Sequence, residues 1–103
     1  MAISTTSAEG ADLRITVDGA LTIYEALDAK SQLLEALARA GALEIDLSNV
    51  DEIDTAGLQL LVLTHREGHK AGKAVRLAGQ SAALLEVLGR YGLASFFDPR
   101  RPT

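Results

Sequence analysis

One segment in the middle of the chain carries most of the structural information, because it joins a predicted strand to a predicted helix through a loop rich in carboxylates and hydroxyls. Apolar and acidic residues alternate over 43–47, which predicts a strand with one buried face. Ser48-Asn49 then begins a predicted loop, and a helix is predicted over 56–70. The segment reads Ile45-Asp46-Leu47-Ser48-Asn49-Val50-Asp51-Glu52-Ile53-Asp54-Thr55-Ala56-Gly57-Leu58-Gln59.

The sequence before this segment predicts a hairpin and a helix. Apolar residues alternate over 13–17, Asp18-Gly19 supplies a turn, and 20–23 form a short second strand. The period then changes to that of a helix over 24–40, with Gly41 as its stop. The predicted core face of this helix carries Tyr24, Leu27, Ser31, Leu34 and Ala38.

After the central helix, which Ala71-Gly72 closes, the sequence predicts one more strand around 75–77 and a third helix over 80–90. Leu84, Leu88 and Tyr91 share one face of that helix, and Gly92 ends it. Residues 95–97 are predicted to form a terminal strand or an apolar plug. Strands that alternate with helices need crossover connections, so the predicted class is α/β, with a partly parallel sheet and helices packed on it.

Length and composition limit the function classes. The 103 residues suffice for one domain over 1–103, with a core at about 11–97 and flexible tails at 1–8 and 98–103. The chain has no cysteine, which excludes disulfides, zinc-thiolate sites and a cysteine nucleophile. A net charge of -4 argues against nucleic acid and anionic membranes as partners. No signal peptide and no stretch of ~20 apolar residues is visible, so we expect a cytoplasmic protein without membrane insertion.

The acidic residues concentrate in one part of the chain. Residues 1–59 hold eleven acidic and three basic side chains, a net charge of -8, and the remainder carries +4. The loop before Thr55 belongs to the acidic part. A phosphate on Thr55 would be favoured by the helix dipole and repelled by Asp51, Glu52 and Asp54. The simpler interpretation is that Asp54 or Thr55 is only a helix cap.

The predicted central helix is apolar over much of its girth. Leu58, Leu61 and Val62 share one face with His65, whereas Leu60 and Leu63 lie largely on other sides. Those two leucines are therefore either buried by the domain itself or available to a partner.

No catalytic or metal-binding constellation accompanies these features. The sequence contains no phosphate-binding GxxxxGK[ST] motif and no credible Ser-His-Asp order. His65 and His69 are spaced for one helix face but have no third ligand, and the acidic loop lacks the glycine and distal glutamate of a calcium loop. We therefore expect no enzyme activity, no metal and no cofactor.

Several motifs together resemble the STAS domain family, the fold of bacterial anti-sigma factor antagonists. They cover about 13–97, with Gly19 and the run 88–93 in support, and the strongest are Ile45-Asp46-Leu47-Ser48 and Ile53-Asp54-Thr55-Ala56-Gly57-Leu58. The resemblance implies a SpoIIAA-like fold, a four- to five-stranded mixed sheet with three to four helices. It also implies a non-catalytic regulatory module that binds an anti-sigma factor or serine kinase of the histidine-kinase-like ATPase type and is switched by phosphorylation at the start of the second helix.

The sequence departs from that family pattern at two positions. The residue that matches the usual phosphorylated serine is Ala56, so Thr55 is the only candidate acceptor in the motif, and Thr22 replaces an acidic residue before the first helix. The resemblance implies a partner-binding surface that comprises Thr22, Asp54, Thr55, Ala56, Gly57, Leu58, Gln59, Leu60 and Leu63.

The Asp-Thr-Ala-Gly-Leu-Gln form of the motif is most similar to single-domain STAS proteins found beside chemotaxis genes. A similar motif occurs in the STAS subunit of lipid-transport ABC systems. The alternative expectation is therefore a constitutive adaptor in a transporter or in a chemotaxis signalling complex. In either case we expect a monomer or weak dimer with a protein partner.

Overall fold

A computed structural model describes residues 1–7, 12–93 and 95. Four strands and three helices follow one another along this part of the chain. Their bounds are β1 (Ala2–Ser7), β2 (Leu13–Leu21), α1 (Ile23–Arg39), β3 (Ala42–Ile53), α2 (Thr55–Lys70), β4 (Ala74–Gln80) and α3 (Ala82–Arg90).

The strands form one mixed sheet in the order β1-β2-β3-β4. β1 runs antiparallel to β2, and the pairs β2–β3 and β3–β4 are parallel. Both parallel crossovers step in the same direction across the sheet, and right-handed connections therefore place α1 and α2 on the same face. The predicted α/β class and mixed sheet are confirmed, with four strands and three helices.

The core lies between the sheet and the helices. Ile15 and Val17 of β2 and the alternating apolar residues of β3 are fully buried, as predicted, together with leucines from all three helices, whereas Leu13 is only half-buried. The buried strand residues include Ile15, Val17, Leu43, Ile45 and Leu47. The opposite face of the sheet is polar, and there Arg14 pairs with Glu44 at 3.6 Å and with Asp46 at 3.0 Å.

The strand predictions were wrong at three places. Residues 2–7, expected in a flexible tail, form β1 and make the antiparallel pair that was predicted for 13–23. Asp18-Gly19 lies inside β2, where the register against β3 shifts and Gly19 has a φ of 90°. The predicted loop at 48–53 continues β3, because parallel pairing with β2 extends to Leu21 and Ile53.

The predicted core face of α1 was also wrong. Tyr24 and Leu27 are 92% and 78% exposed, whereas small and branched residues on the other side of the helix face the sheet. The small alanines let the helix approach the strands, and the leucines fill the space between them. That buried stripe comprises Ala29, Leu33, Ala36 and Leu37.

Helix ends agree with the sequence at two of three predicted positions. Gly72 and Gly92 follow α2 and α3 with φ angles of 71° and 68°, the left-handed conformation that suits a glycine after a helix. Gly41 does not end a helix in this way, because α1 ends at Arg39 and Ala40 leaves the helix in an extended conformation.

One carboxylate holds the starts of α1 and α2 together. Asp54 Oδ1 accepts from the Gly57 N–H at 3.0 Å and caps α2, and Asp54 Oδ2 accepts from the Ile23 N–H at 2.9 Å in the first turn of α1. The N–H of Gly57, followed by those of Ile23 and Ala56, lowers the pKa of Asp54 from its ordinary value of 3.8 against the opposing effect of burial. The ionised side chain therefore fixes two helices that are distant in sequence.

Gly57 brings the start of α2 against the end of β2. A Cβ atom at this position would overlap the carbonyl oxygen of Leu21, a backbone atom that cannot rotate away, and would touch Ile53 Cγ1 at 3.0 Å. Only a residue without a side chain fits here, so this glycine sets how deeply the first turn of α2 is seated.

Replacing Gly57 by alanine is expected to lower the free energy of unfolding by about 2–3 kcal/mol, the usual cost of overpacking against fixed atoms. The matched control is Gly89→Ala in α3, where an added Cβ meets nothing within 4 Å and should stabilise the helix by about 0.5–1 kcal/mol. Urea denaturation of both variants measures the difference. Equal stability of the two would contradict the close approach of α2 to Leu21.

Replacing Asp54 is expected to have graded effects at pH 7. Asn keeps one acceptor but presents an NH₂ group to the other N–H, so Asp54→Asn should lose about 1 kcal/mol and Asp54→Ala about 2 kcal/mol. Because folding lowers the pKa of Asp54, its contribution is complete above about pH 4 and disappears as the pH falls through the folded-state pKa.

Urea denaturation at pH 7 and pH 3 should therefore show a smaller loss of stability on acidification for both Asp54 variants than for the wild type. The control is Asp51→Asn, since the Asp51 carboxylate is exposed and makes no hydrogen bond with the described residues. An Asp54→Ala variant as stable as Asp51→Asn at pH 7 would refute the double cap.

Candidate functional site

Thr55 occupies the first position of α2 and is exposed. Its Oγ1 lies 3.1 Å from the hydroxyl oxygen of Tyr91, the residue that ends α3. Asp54 performs the capping, so the hydroxyl of Thr55 is not needed as a cap. The sequence left open whether Asp54 or Thr55 caps α2, and in the structure Asp54 does so.

Thr22 does not belong to an exposed surface, so the structure lends its predicted partner contact no support. The residue is 7% exposed and is the N-cap of α1. Its hydroxyl and its N–H donate to Glu25 Oε2 at 2.6 and 3.1 Å. These two bonds, the hydroxyl first, lower the pKa of Glu25.

The motif at the start of α2 divides into an inner and an outer set. Gly57, Leu58 and Leu60 are buried, and Leu60, 5% exposed, belongs to the core. These residues therefore offer little surface to a second protein, and their predicted contact with a partner stays a prediction. The outer set comprises Asp54, Thr55, Ala56, Gln59 and Leu63, which are half-buried or exposed.

The apolar residues at the start of α1 are the feature that sequence reasoning missed. Ile23, Tyr24 and Leu27 are 66%, 92% and 78% exposed, and an exposed cluster of large apolar side chains is unusual unless it binds something. The sequence did contain a signal for this. Ala29, Leu33 and the pair that follows at 36–37 form a second apolar stripe at helical spacing, and it competes with the stripe that begins at Tyr24.

A shallow apolar groove joins the two helices beside this cluster. Its upper part, about 370 Å³, is lined by Ile23, Ala26, Leu27, Lys30, Ala56, Gln59, Leu60 and Leu63. A lower part of about 480 Å³ shares Lys30 and Leu63 and continues toward Lys73 near the end of α2. The name helix-pair surface is used for the outward lining residues of the upper part together with two exposed chain neighbours, Tyr24 and Thr55. The lining residues are Ile23, Leu27, Ala56, Gln59 and Leu63.

Two exposed carboxylates lie at the end of β3, shortly before Thr55 in the chain. Asp51 and Glu52 are exposed at the end of β3, where they line a cavity of about 210 Å³ together with Arg90 of α3. Arg90 Nη2 donates to Glu86 Oε1 at 2.8 Å within its own helix. A negative group added to Thr55 would follow three carboxylates in the chain, those of Asp51, Glu52 and Asp54.

Asp46, the other acid of the motif, lies on the outer face of the sheet rather than at this site. Its Oδ1 accepts from the hydroxyl and the N–H of Ser48 at 2.6 and 3.0 Å, and these bonds, with the Arg14 guanidinium, lower the pKa of Asp46. Asp46 and Ser48 thus hold the sheet and do not line the helix-pair surface.

Within residues 1–7, 12–93 and 95, no group of three or more acidic or histidine side chains is arranged to hold a metal ion. No helix among these residues is long and apolar enough to cross a membrane.

Comparison with solved structures establishes the fold. An anti-sigma factor antagonist from Mycobacterium paratuberculosis matches with a TM-score of 0.78 and 24% identity, over 99% of this chain and 87% of that one. Phosphorylated SpoIIAA from Bacillus matches with a TM-score of 0.72 and 16% identity, over 89% and 85%. A sulfate transporter family protein from Wolinella succinogenes matches with a TM-score of 0.72 and 18% identity, over 93% and 79%.

Sequence comparison gives the family. No curated protein sequence matches the chain. The model of a domain family described as "Mlab, STAS domain" matches residues 4–98, nearly the entire length, and includes both the Asp54-Thr55 motif and the exposed start of α1. The chain is therefore a member of the STAS domain family.

Proposed function

We propose that this STAS domain is a non-catalytic regulatory module that binds an anti-sigma factor or kinase of the histidine-kinase-like ATPase type through the helix-pair surface. The observation that carries the proposal is the exposed apolar cluster at the start of α1, beside the exposed hydroxyl of Thr55. Large apolar and aromatic side chains of this kind supply most of the binding energy in protein interfaces.

The structural neighbours support a protein partner in this class. They include anti-sigma factor antagonists, and STAS domains of this type are generally non-catalytic. An acidic domain of this kind is poorly suited to nucleic acid, and we place its action in the cytoplasm.

Thr55 is the proposed switch of this surface. The Oγ1–H bond of Thr55 would break as Oγ1 bonds to the γ-phosphorus of ATP held by the partner kinase. The bond between that phosphorus and the β–γ bridging oxygen breaks, ADP leaves, and the proton passes to a base of the kinase. The hydroxyl is exposed, whereas the neighbouring Ala56, at the family's usual acceptor position, is half-buried and has no hydroxyl.

A phosphate at Thr55 would change the docking surface by charge. It adds nearly two negative charges next to Asp54 and near Asp51 and Glu52, at the border of an apolar surface. A partner that buries Leu27 would then have to remove a dianion from water as well. Phosphorylation is therefore expected to release the partner.

A constitutive adaptor is the second candidate. It is favoured by Ala56 at the usual acceptor position, by the family description and by the likeness to a sulfate transporter family protein. In that case the helix-pair surface docks permanently on a subunit of a lipid-transport ABC system or on a chemotaxis signalling complex, and Thr55 is never modified.

The docking surface is tested by Leu27→Glu, with Leu85→Glu as the matched control. Both leucines are exposed on helices, but Leu85 lies on α3 and lines neither part of the groove. Burying a leucine contributes about 1.5–3 kcal/mol, so Leu27→Glu should weaken partner binding about tenfold or more with unchanged thermal stability. Equal binding of the two variants, measured by titration calorimetry with the captured partner, would argue against this surface.

The switch is tested with Thr55→Glu and Thr55→Val in a native lysate supplied with ATP. We expect the wild type to carry a phosphate on Thr55 by mass spectrometry and to capture a histidine-kinase-like ATPase. Thr55→Val should capture it equally, and Thr55→Glu at least several-fold less, because only the glutamate adds charge. Capture of a transporter ATPase with Thr55 unmodified would instead support the adaptor.

A further inference from the structure

The hydroxyl of Thr55 is paired with a residue from another helix. Tyr91 Oη lies 3.1 Å from Thr55 Oγ1, either atom can donate, and the two residues are 36 positions apart. Both side chains are accessible, and Tyr91 is 50% exposed. The contact therefore occurs at the surface, at the atom that the proposed switch would modify.

The backbone holds Tyr91 in place. It is the C-cap of α3, and the next two residues close the helix with a pair of hydrogen bonds, from the Gly92 N–H to the Gly89 carbonyl at 3.2 Å and from the Leu93 N–H to the Leu88 carbonyl at 2.7 Å. This is the Schellman arrangement, completed by Gly92 in the left-handed conformation and by the packing of Leu93 on the core. The phenol thus projects from a fixed point.

Thr55 is held equally firmly on its own side. The cap by Asp54 and the close approach of Gly57 to Leu21 fix the first turn of α2. The remaining freedom at Thr55 is rotation of its side chain, and a hydrogen bond to Tyr91 selects one orientation.

We propose that Tyr91 is a positioning residue that slows the phosphorylation of Thr55. Its hydrogen bond keeps the Thr55 hydroxyl turned toward α3 until the bond opens. This inference rests on the proposed phosphorylation of Thr55 and adds its regulation. A hydroxyl that attacks the γ-phosphorus of ATP must point its oxygen along the line of attack and release its proton to a base. Only the fraction of molecules with the Thr55–Tyr91 bond open can do so, and the rate falls in proportion to that fraction.

The test compares Tyr91→Phe with Thr6→Val. Each variant loses one hydroxyl and keeps the shape of the side chain. Thr6 is exposed in β1 and pairs with Arg14 on the outer face of the sheet, so its variant controls for the loss of a hydroxyl that belongs neither to the helix-pair surface nor to the contact with Thr55. Thermal unfolding of both variants confirms that they fold like the wild type.

Two measurements follow. The first is the initial rate of phosphate appearance on Thr55, by quantitative mass spectrometry, in a native lysate with ATP. Loss of one neutral hydrogen bond should raise this rate about two- to tenfold in Tyr91→Phe, and the rate should be unchanged in Thr6→Val. The second needs no kinase: three-bond NMR couplings about the Thr55 Cα–Cβ bond should report one rotamer in the wild type and in Thr6→Val, and averaging in Tyr91→Phe.

Each outcome decides the matter. A faster phosphorylation of Thr55 and an averaged Thr55 rotamer, both in Tyr91→Phe alone, support the positioning role of Tyr91. An equal or slower rate in Tyr91→Phe, or an unchanged Thr55 rotamer, overturns it while the phosphorylation of Thr55 stands. Absence of phosphate from Thr55 in all three proteins overturns the proposed switch. It then also overturns the positioning role of Tyr91, whatever the rotamer measurement gives.

Discussion

The carboxylate of Asp54 ties the beginning of α1 to the beginning of α2, and the candidate site depends on this tie. Each helix start leaves backbone N–H groups unpaired, and one side chain satisfies a group in both. Ile23 donates directly to this carboxylate, and Thr55 follows Asp54 in the chain. The apolar cluster of α1 and the hydroxyl of α2 form one surface because of this anchor, although they are separated by β3.

The sequence predicted the parts of the fold that depend on local pattern. Alternation along β2 and β3 and the glycines after α2 and α3 were sufficient, because burial and helix closure leave regular traces. β1 was missed because its Ser and Thr residues form a strand only by pairing with β2. The face of α1 was misassigned because two apolar stripes compete on that helix, and the alanines at Ala29 and Ala36 carry less hydropathy than Tyr24 and Leu27.

The candidate site was predictable in outline and not in its contacts. The cap position of Asp54 and the place of Thr55 follow from the order of residues at a helix start. The second bond of Asp54, to Ile23, and the contact of Thr55 with Tyr91 join residues 31 and 36 positions apart, and only the tertiary fold brings them together. Likewise, the helical pattern left the burial of Leu60 ambiguous, and only the tertiary fold places this side chain in the core.

The close approach at Gly57 also means that some positions of the motif tolerate fewer kinds of side chain than others. The inner turn of α2 is confined by the Leu21 carbonyl and the core, so few side chains fit there. The core does not restrict the side chains at Tyr24, Leu27 and Gln59, since they face outward from helices that are already capped and packed. Descendants of this domain can therefore acquire new partners through these outward positions while the scaffold beneath them is inherited intact.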